Sequence, residues 1–227
     1  MNYKRIMVFG AHPDDEQAMA AAMAKMAALG VEVTVAIMTD GREGYPRPEM
    51  KDTIVAMRRQ EQVECDQVLG VARRINFDRP DLALVNDKQT VLEVVAAIRQ
   101  VRPEAIFTHG PEEWHRDHAN TNAITIEAAW HAGEPVVAAL GEPWHTPHVW
   151  YYKGCGSRRA DVTYDVTGYA HYRQLSRATQ ESQHTLFGKN KEQWLAEAEE
   201  VRQANPRSED QFWVTGRTAL RDLPDLV

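Results

Sequence analysis

With 227 residues and a net charge of −7, the chain has the length of one large domain and is too acidic for a nucleic-acid surface. It contains no apolar run of roughly eighteen residues, so no transmembrane helix is expected. The two cysteines, Cys65 and Cys155, and an N-terminus without a signal-peptide pattern point to free thiols in a reducing cytoplasm.

In chain order, Arg5-Ile6-Met7-Val8-Phe9-Gly10-Ala11 reads as a buried strand. His12-Pro13-Asp14-Asp15-Glu16 forms the turn after it, and the Ala- and Met-rich segment 17–29 reads as a helix. Residues 32–39 are a second, β-branched strand. Asp40-Gly41-Arg42-Glu43-Gly44-Tyr45 is a glycine-punctuated turn, which 46–48 extends into a loop. Residues 52–69 carry helical periodicity and stop at Gly70. A short strand at 74–77, a helix at 90–101 ended by Pro103 and a strand at 105–108 follow. The polar stretch 109–118 leads into a helix at 120–131, and a long proline-rich loop, 133–147, precedes a fifth strand at 148–152. This alternation predicts an α/β protein with a mostly parallel sheet and helices on both faces. Beyond it, 161–166 reads as a strand, and 169–187 and 191–205 read as helices. No repeat, low-complexity tract or linker breaks the chain, so a single domain over 1–227 is expected.

The segment His12 to Glu16 lies at the carboxyl end of a strand, where open α/β sheets bind ligands. Asp14 or Asp15 as helix cap, with Glu16 favourable in the first turn, is one explanation. Pro13 also suits a helix start. Capping, however, needs only one short polar residue and gives no reason for His12. The second polar loop, His109-Gly110-Pro111-Glu112-Glu113-Trp114-His115-Arg116-Asp117-His118, occupies the same kind of place after the fourth strand. His115 and His118 are three apart and share a face in a helical turn.

The chemistry that fits both loops is a mononuclear metal site with one open position. His12, Asp15 and His118 would supply two nitrogens and one oxygen, as in catalytic zinc sites. Ferrous iron or another divalent ion also suits that donor set. Asp14 is then left as a general base and His115 as a donor to a developing oxyanion. Asp117 is expected to fix the tautomer of His115.

Ala11-His12-Pro13-Asp14-Asp15-Glu16, taken with His115-Arg116-Asp117-His118, resembles the LmbE-like (PIG-L) zinc-dependent N-deacetylases. These enzymes remove acetyl from N-acetylglucosamine-type amines. Thr39-Asp40-Gly41-Arg42-Glu43-Gly44 is similar to the family's Gly-rich turn, Arg58-Arg59-Gln60-Glu61 to its Arg-x-x-Glu helix, and 166–183 to its C-terminal helix. Arg116 stands where the family often has proline, and Gln180 where it often has histidine. The resemblance implies a Rossmann-like three-layer sandwich of LmbE-like type. It implies zinc on His12, Asp15 and His118, Asp14 as base and His115 polarising the carbonyl. Arg58, with Arg42 in the neighbouring turn, would contact a small amino-sugar substrate. A homo-oligomer, trimer or hexamer, without a nucleic-acid or membrane partner, completes the expectation.

Two other readings compete. One is an amidase on a larger N-acyl conjugate, with the loop 133–147 shaping its pocket. The other is a Rossmann-like binding or sensor protein whose metal site is structural or vestigial, which leaves the spare carboxylate of Asp14 unexplained. Trp114, Trp144 and Trp150 are candidates either for stacking on a sugar ring or for packing. Arg158 and Arg159 read as an anion site or a solvated pair, and Glu16 as support for the first helical turn.

Overall fold

The structure is a computed structural model and describes residues 3–216. Seven strands, β1 (Arg5–Gly10), β2 (Glu32–Thr39), β3 (Arg73–Arg79), β4 (Ala105–His109), β5 (His148–Lys153), β6 (Val162–Asp165) and β7 (Glu209–Val214), form one sheet in the order β3-β2-β1-β4-β5-β7-β6. The first five are mutually parallel, whereas β7 runs antiparallel to both β5 and β6. The helices are α1 (Ala20–Ala28), α2 (Ile54–Leu69), α3 (Lys88–Val101), α4 (Arg116–Gly133), α5 (Tyr172–Ala178), α6 (His184–Phe187) and α7 (Lys191–Ala204).

Past Arg5 and Glu32 the central strands β1 and β2 are buried and mostly apolar, because both faces are covered. On β1, Ile6 and Val8 join Met23 and Met26 of α1 and Leu69 of α2 in one core. Met7 and Phe9 point the other way, into a second core with Val94 and Ile98 of α3 and Ile124 and Ala128 of α4. The result is the expected three-layer α/β sandwich. From β1 the chain builds outward through β2 and β3. It then returns to β1's other side with β4. The carboxyl ends of β1 and β4 therefore open onto the crevice at the point where the strand order reverses.

Several elements depart from the sequence expectation for identifiable reasons. The helix expected over 17–29 starts as a tight 3-10 turn, Asp15–Met19, and neither turn nor helix has a side-chain cap of its own. The Ala22 amide instead donates to the Asp210 carboxylate of β7 (2.8 Å), which Arg173 of α5 holds from the other side. The helix expected over 169–187 is interrupted. Glu61 of α2 accepts from both the amide (2.6 Å) and the hydroxyl (2.8 Å) of Ser182, and Gln180 leaves helical space to allow it. Strand β7 was not expected, since Glu209, Asp210 and Gln211 dilute its apolar pattern.

The loop after α4 is bolted down by Arg99. Its buried guanidinium donates to the carbonyls of His131, Ala132, Glu134, Val136, Val137 and Gly141 at 2.7–3.2 Å. Trp144 of this loop gives its indole N–H to the Pro103 carbonyl (2.8 Å), and Trp150 is in the core. Neither presents its ring to a ligand.

Candidate active site

The loops leaving β1 and β4 meet, as expected, over the crevice. A cavity of about 400 Å³ there is lined by His12, Asp14, Asp15, Glu43, Gly44, Arg58, Asp81, Leu82, His115, His118 and Gln183. That volume suits a sugar-sized ligand. No residue of 133–147 lines it, so the long loop does not shape this pocket.

Asp15 explains the tight turn. Its Oδ2 accepts the amides of Ala11 (2.9 Å) and His12 (2.8 Å), folding the motif back on itself instead of capping the helix. The carboxylate is thereby aimed inward. His12 Nδ1 lies 3.1 Å from His118 Nε2 and 3.5 Å from Asp15 Oδ2, and His118 Nε2 lies 3.4 Å from Asp15 Oδ1. A tetrahedral ion with bonds of 2.0–2.1 Å has donor-to-donor edges of about 3.3–3.4 Å. His12 Nδ1 and His118 Nε2 stand near that spacing, and each meets a different oxygen of the Asp15 carboxylate. Two overlapping groups, His12, His115 and His118, and Asp15, His109 and His118, each have their ligand atoms within 4.8 Å of one another.

The electrostatics carry the same sign. Burial alone would raise the Asp15 pKa, but His109 and Lys153, whose Nζ is 2.7 Å from Oδ1, hold it well below the usual carboxylate range. Burial alone would lower that of His12; its bonds to Asp117 and Asp15 override this and push it up to about 10. His115 shifts the other way, lowered by burial and by the neighbouring His12 and His118.

The hydrogen bonds select tautomers. His12 Nε2 faces Asp117 Oδ2 (3.3 Å), which points Nδ1 into the site. This corrects the expectation for Asp117. Its carboxylate orients His12, not His115, and is fixed by the Leu82 amide (2.7 Å). His115 is addressed by the Asp117 backbone amide, which donates to Nδ1 (3.2 Å) and caps α4 in doing so. The His115 Nε2–H is left to face the cavity.

Asp14 stands apart from this set. Its Oδ1 pairs with Arg58 Nη2 at 3.0 Å, and Arg58 is only 3% exposed. Arg58 reaches Asp14 by passing Gly44, where an added Cβ would lie 2.3 Å from its Nη1. The glycine of the turn is thus a consequence of the arginine of the helix. Gln183 donates to the Gly44 carbonyl (2.7 Å), so the 166–183 segment braces the same turn. Arg42 is placed elsewhere. Its guanidinium is committed to Asp40, its side chain is half exposed, and it does not line the cavity.

Glu16 is fully buried on Arg74 of β3 (2.7 Å), which also grips Asp66. It ties the motif to the sheet, a larger role than first-turn support. His109 and Glu113 stand in the second polar loop, but nothing in the residue pattern assigns them, or Lys153, to the cluster. Trp114 projects beside His115, with ring centroids 6.3 Å apart, and is 93% exposed.

A family model described as GlcNAc-PI de-N-acetylase, PIG-L, matches residues 7–129, more than half of the chain. The chain belongs to this family. Both loops of the cavity fall inside the matched segment. The chain is similar to the 1D-myo-inositol 2-acetamido-2-deoxy-alpha-D-glucopyranoside deacetylase of Streptomyces scabiei, at 30% identity over 177 residues, covering 65% of this chain and 55% of the relative. It is 32% identical over 149 residues to the mycothiol S-conjugate amidase of Streptomyces coelicolor, covering 55% and 51%. It thus spans about half the length of these curated relatives. Among solved structures, N,N'-diacetylchitobiose deacetylase from Pyrococcus horikoshii shares the fold with a TM-score of 0.80 at 21% identity, covering 98% of this chain and 90% of that one.

Proposed function

We propose that the protein is a metal-dependent hydrolase that removes the acetyl group from an N-acetylglucosamine-type amine. The observation that carries the reading is the convergence of His12 Nδ1 and His118 Nε2 on the two oxygens of the Asp15 carboxylate, next to a second carboxylate, Asp14, that takes no part in it. Family membership and the deacetylase relatives supply the substrate class.

In this reading His12, Asp15 and His118 hold zinc or another divalent ion. Such an ion, when bound, polarises the acetamide carbonyl and acidifies water. Asp14 takes the proton of the attacking water, with Arg58 fixing the carboxylate that receives it. His115 gives its Nε2–H bond to the oxygen that becomes negative as the carbonyl is attacked. Asp14 returns the proton to the leaving nitrogen, so water and amide become acetate and free amine.

The test measures metal content and acetate release together. Asp14→Ala is expected to keep the wild-type zinc content while losing more than about 100-fold in turnover on diacetylchitobiose. Removal of the metal by a chelator should abolish turnover and zinc should restore it. Full activity in Asp14→Ala would remove the assigned base.

One observation favours a second reading. The indole of Trp114 stands in solvent beside His115 and offers a platform for a larger conjugate, as an amidase would need. A panel of N-acyl amino sugars scored for released acid separates the two. The cytoplasmic homo-oligomer implied by the resemblance belongs to the same proposal, and light scattering on the purified protein reads its oligomeric state.

A further inference from the structure

Four side chains of the site close into a ring. Asp15 Oδ2 lies 3.3 Å from His109 Nε2, and His109 Nδ1 lies 3.5 Å from Glu113 Oε1. Glu113 Oε2 lies 3.1 Å from His118 Nδ1, and His118 Nε2 lies 3.4 Å from Asp15 Oδ1. The two imidazoles are stacked, with centroids 4.3 Å apart and planes at 24°, and each hangs from one oxygen of the Glu113 carboxylate. His109 Nε2 is met by the Ala11 amide (3.2 Å), the Tyr152 hydroxyl (3.1 Å) and Asp15, which leaves His109 Nδ1 to face Glu113. An ionised carboxylate only accepts hydrogen bonds, so each imidazole that faces Glu113 turns an Nδ1–H to it, His118 at 3.1 Å.

We propose that Glu113 is the positioning residue that holds His118 in the Nδ1–H tautomer and turns its Nε2 lone pair into the metal site. The inference rests on the metal-site reading above and adds a residue to it. Asp117 does for His12 what Glu113 does for His118, on opposite ring nitrogens, so both metal-facing histidines are set by a carboxylate behind them.

The backbone around Glu113 is built for this. Gly110 and Glu112 donate their amides to the Lys153 (2.7 Å) and Gly154 (2.8 Å) carbonyls, which extends the pairing of β4 with β5 beyond the strands. Gly154 has φ +73, and a Cβ there would lie 2.6 Å from Glu113 Cγ and Oε1. The glycine leaves the berth that the carboxylate occupies. Glutamine would fit the same berth but carries one acceptor and one donor. It can receive the N–H of one histidine only and meets the other with a competing N–H.

The test is zinc affinity, measured by competition with a chromogenic chelator on metal-stripped full-length protein. Glu113→Gln should bind zinc about 10- to 100-fold more weakly than wild type. Glu112→Gln, one residue away and outside the ring, should bind as wild type does. The rise in melting temperature on adding zinc should shrink in Glu113→Gln; a purely structural role would lower the melting temperature with and without zinc equally. Unchanged affinity in Glu113→Gln overturns the inference and leaves the metal site standing. A wild-type protein that binds no zinc overturns both. A second measurement needs no variant. Long-range proton–nitrogen NMR of the zinc-loaded wild type should show His118 protonated on Nδ1, and protonation on Nε2 would refute the assignment.

Discussion

Replacing Gly44 by alanine presses on a single ion pair. The new methyl carbon would lie 2.3 Å from Arg58 Nη1, where ordinary contact begins at 3.4 Å, so the guanidinium must retreat by about 1 Å. Arg58 is 3% exposed and cannot swing into water. Its 3.0 Å contact with Asp14 would open towards about 4 Å, beyond hydrogen-bonding range. Asp14 and Arg58 form an ion pair whose carboxylate is 27% exposed, so its loss costs about 1 kcal/mol. For a chain of this size that lowers the melting temperature by roughly 2–4 °C. Catalysis should suffer more, because a base displaced by about 1 Å loses on the order of 100-fold in rate. Zinc content should not change, since Gly44 touches none of the three donor side chains. The assay is steady-state amine release from diacetylchitobiose, with zinc measured on every sample. In an Arg58→Met background the same Gly44→Ala change should cost less than about threefold, because the pair it disrupts is already gone. Wild-type turnover in Gly44→Ala, or an equal loss in both backgrounds, refutes the reasoning.

Arg99→Met should lower stability by about 3 kcal/mol or more, since six carbonyls lose their shared buried donor. Urea unfolding checks this, and a change below about 1 kcal/mol would show that water replaces the guanidinium without cost. Arg42→Ala should leave kcat/KM within about threefold of wild type, because Arg42 is held on Asp40 outside the cavity, whereas Arg58→Ala should lose at least about tenfold. Comparable losses in the two variants would return Arg42 to the substrate.

The parts of the fold that sequence makes visible are those whose burial is uniform. β1, β2, β4 and β5 are covered on both faces and read as apolar runs. Strand β7 alternates instead, and carries Asp210 for a tertiary purpose that no local pattern announces. The break between α5 and α6 has the same origin, because Glu61 lies 121 residues away from Ser182. At the site, two loops at the ends of adjacent parallel strands were enough to bring His12, Asp15, His115 and His118 together. Which carboxylate stands behind which imidazole was not legible. Sequence proximity pairs Asp117 with His115, yet the path of the chain places its carboxylate on His12. Such pairings depend on ångström-scale placement of loop backbone, which residue types alone do not encode.

The Asp210–Ala22 hydrogen bond has a bearing on how the protein comes into being. The cap of the first helix is supplied from 188 residues downstream, and the turn that precedes that helix carries His12 and Asp15. A chain emerging from the ribosome therefore holds every proposed metal ligand long before it holds the group that steadies the first of them. Contacts of such long range form late. Capture of the proposed metal would thereby be coupled to arrival of β7, and a chain cut short before residue 209 would have its proposed ligands without the helix start that orders them.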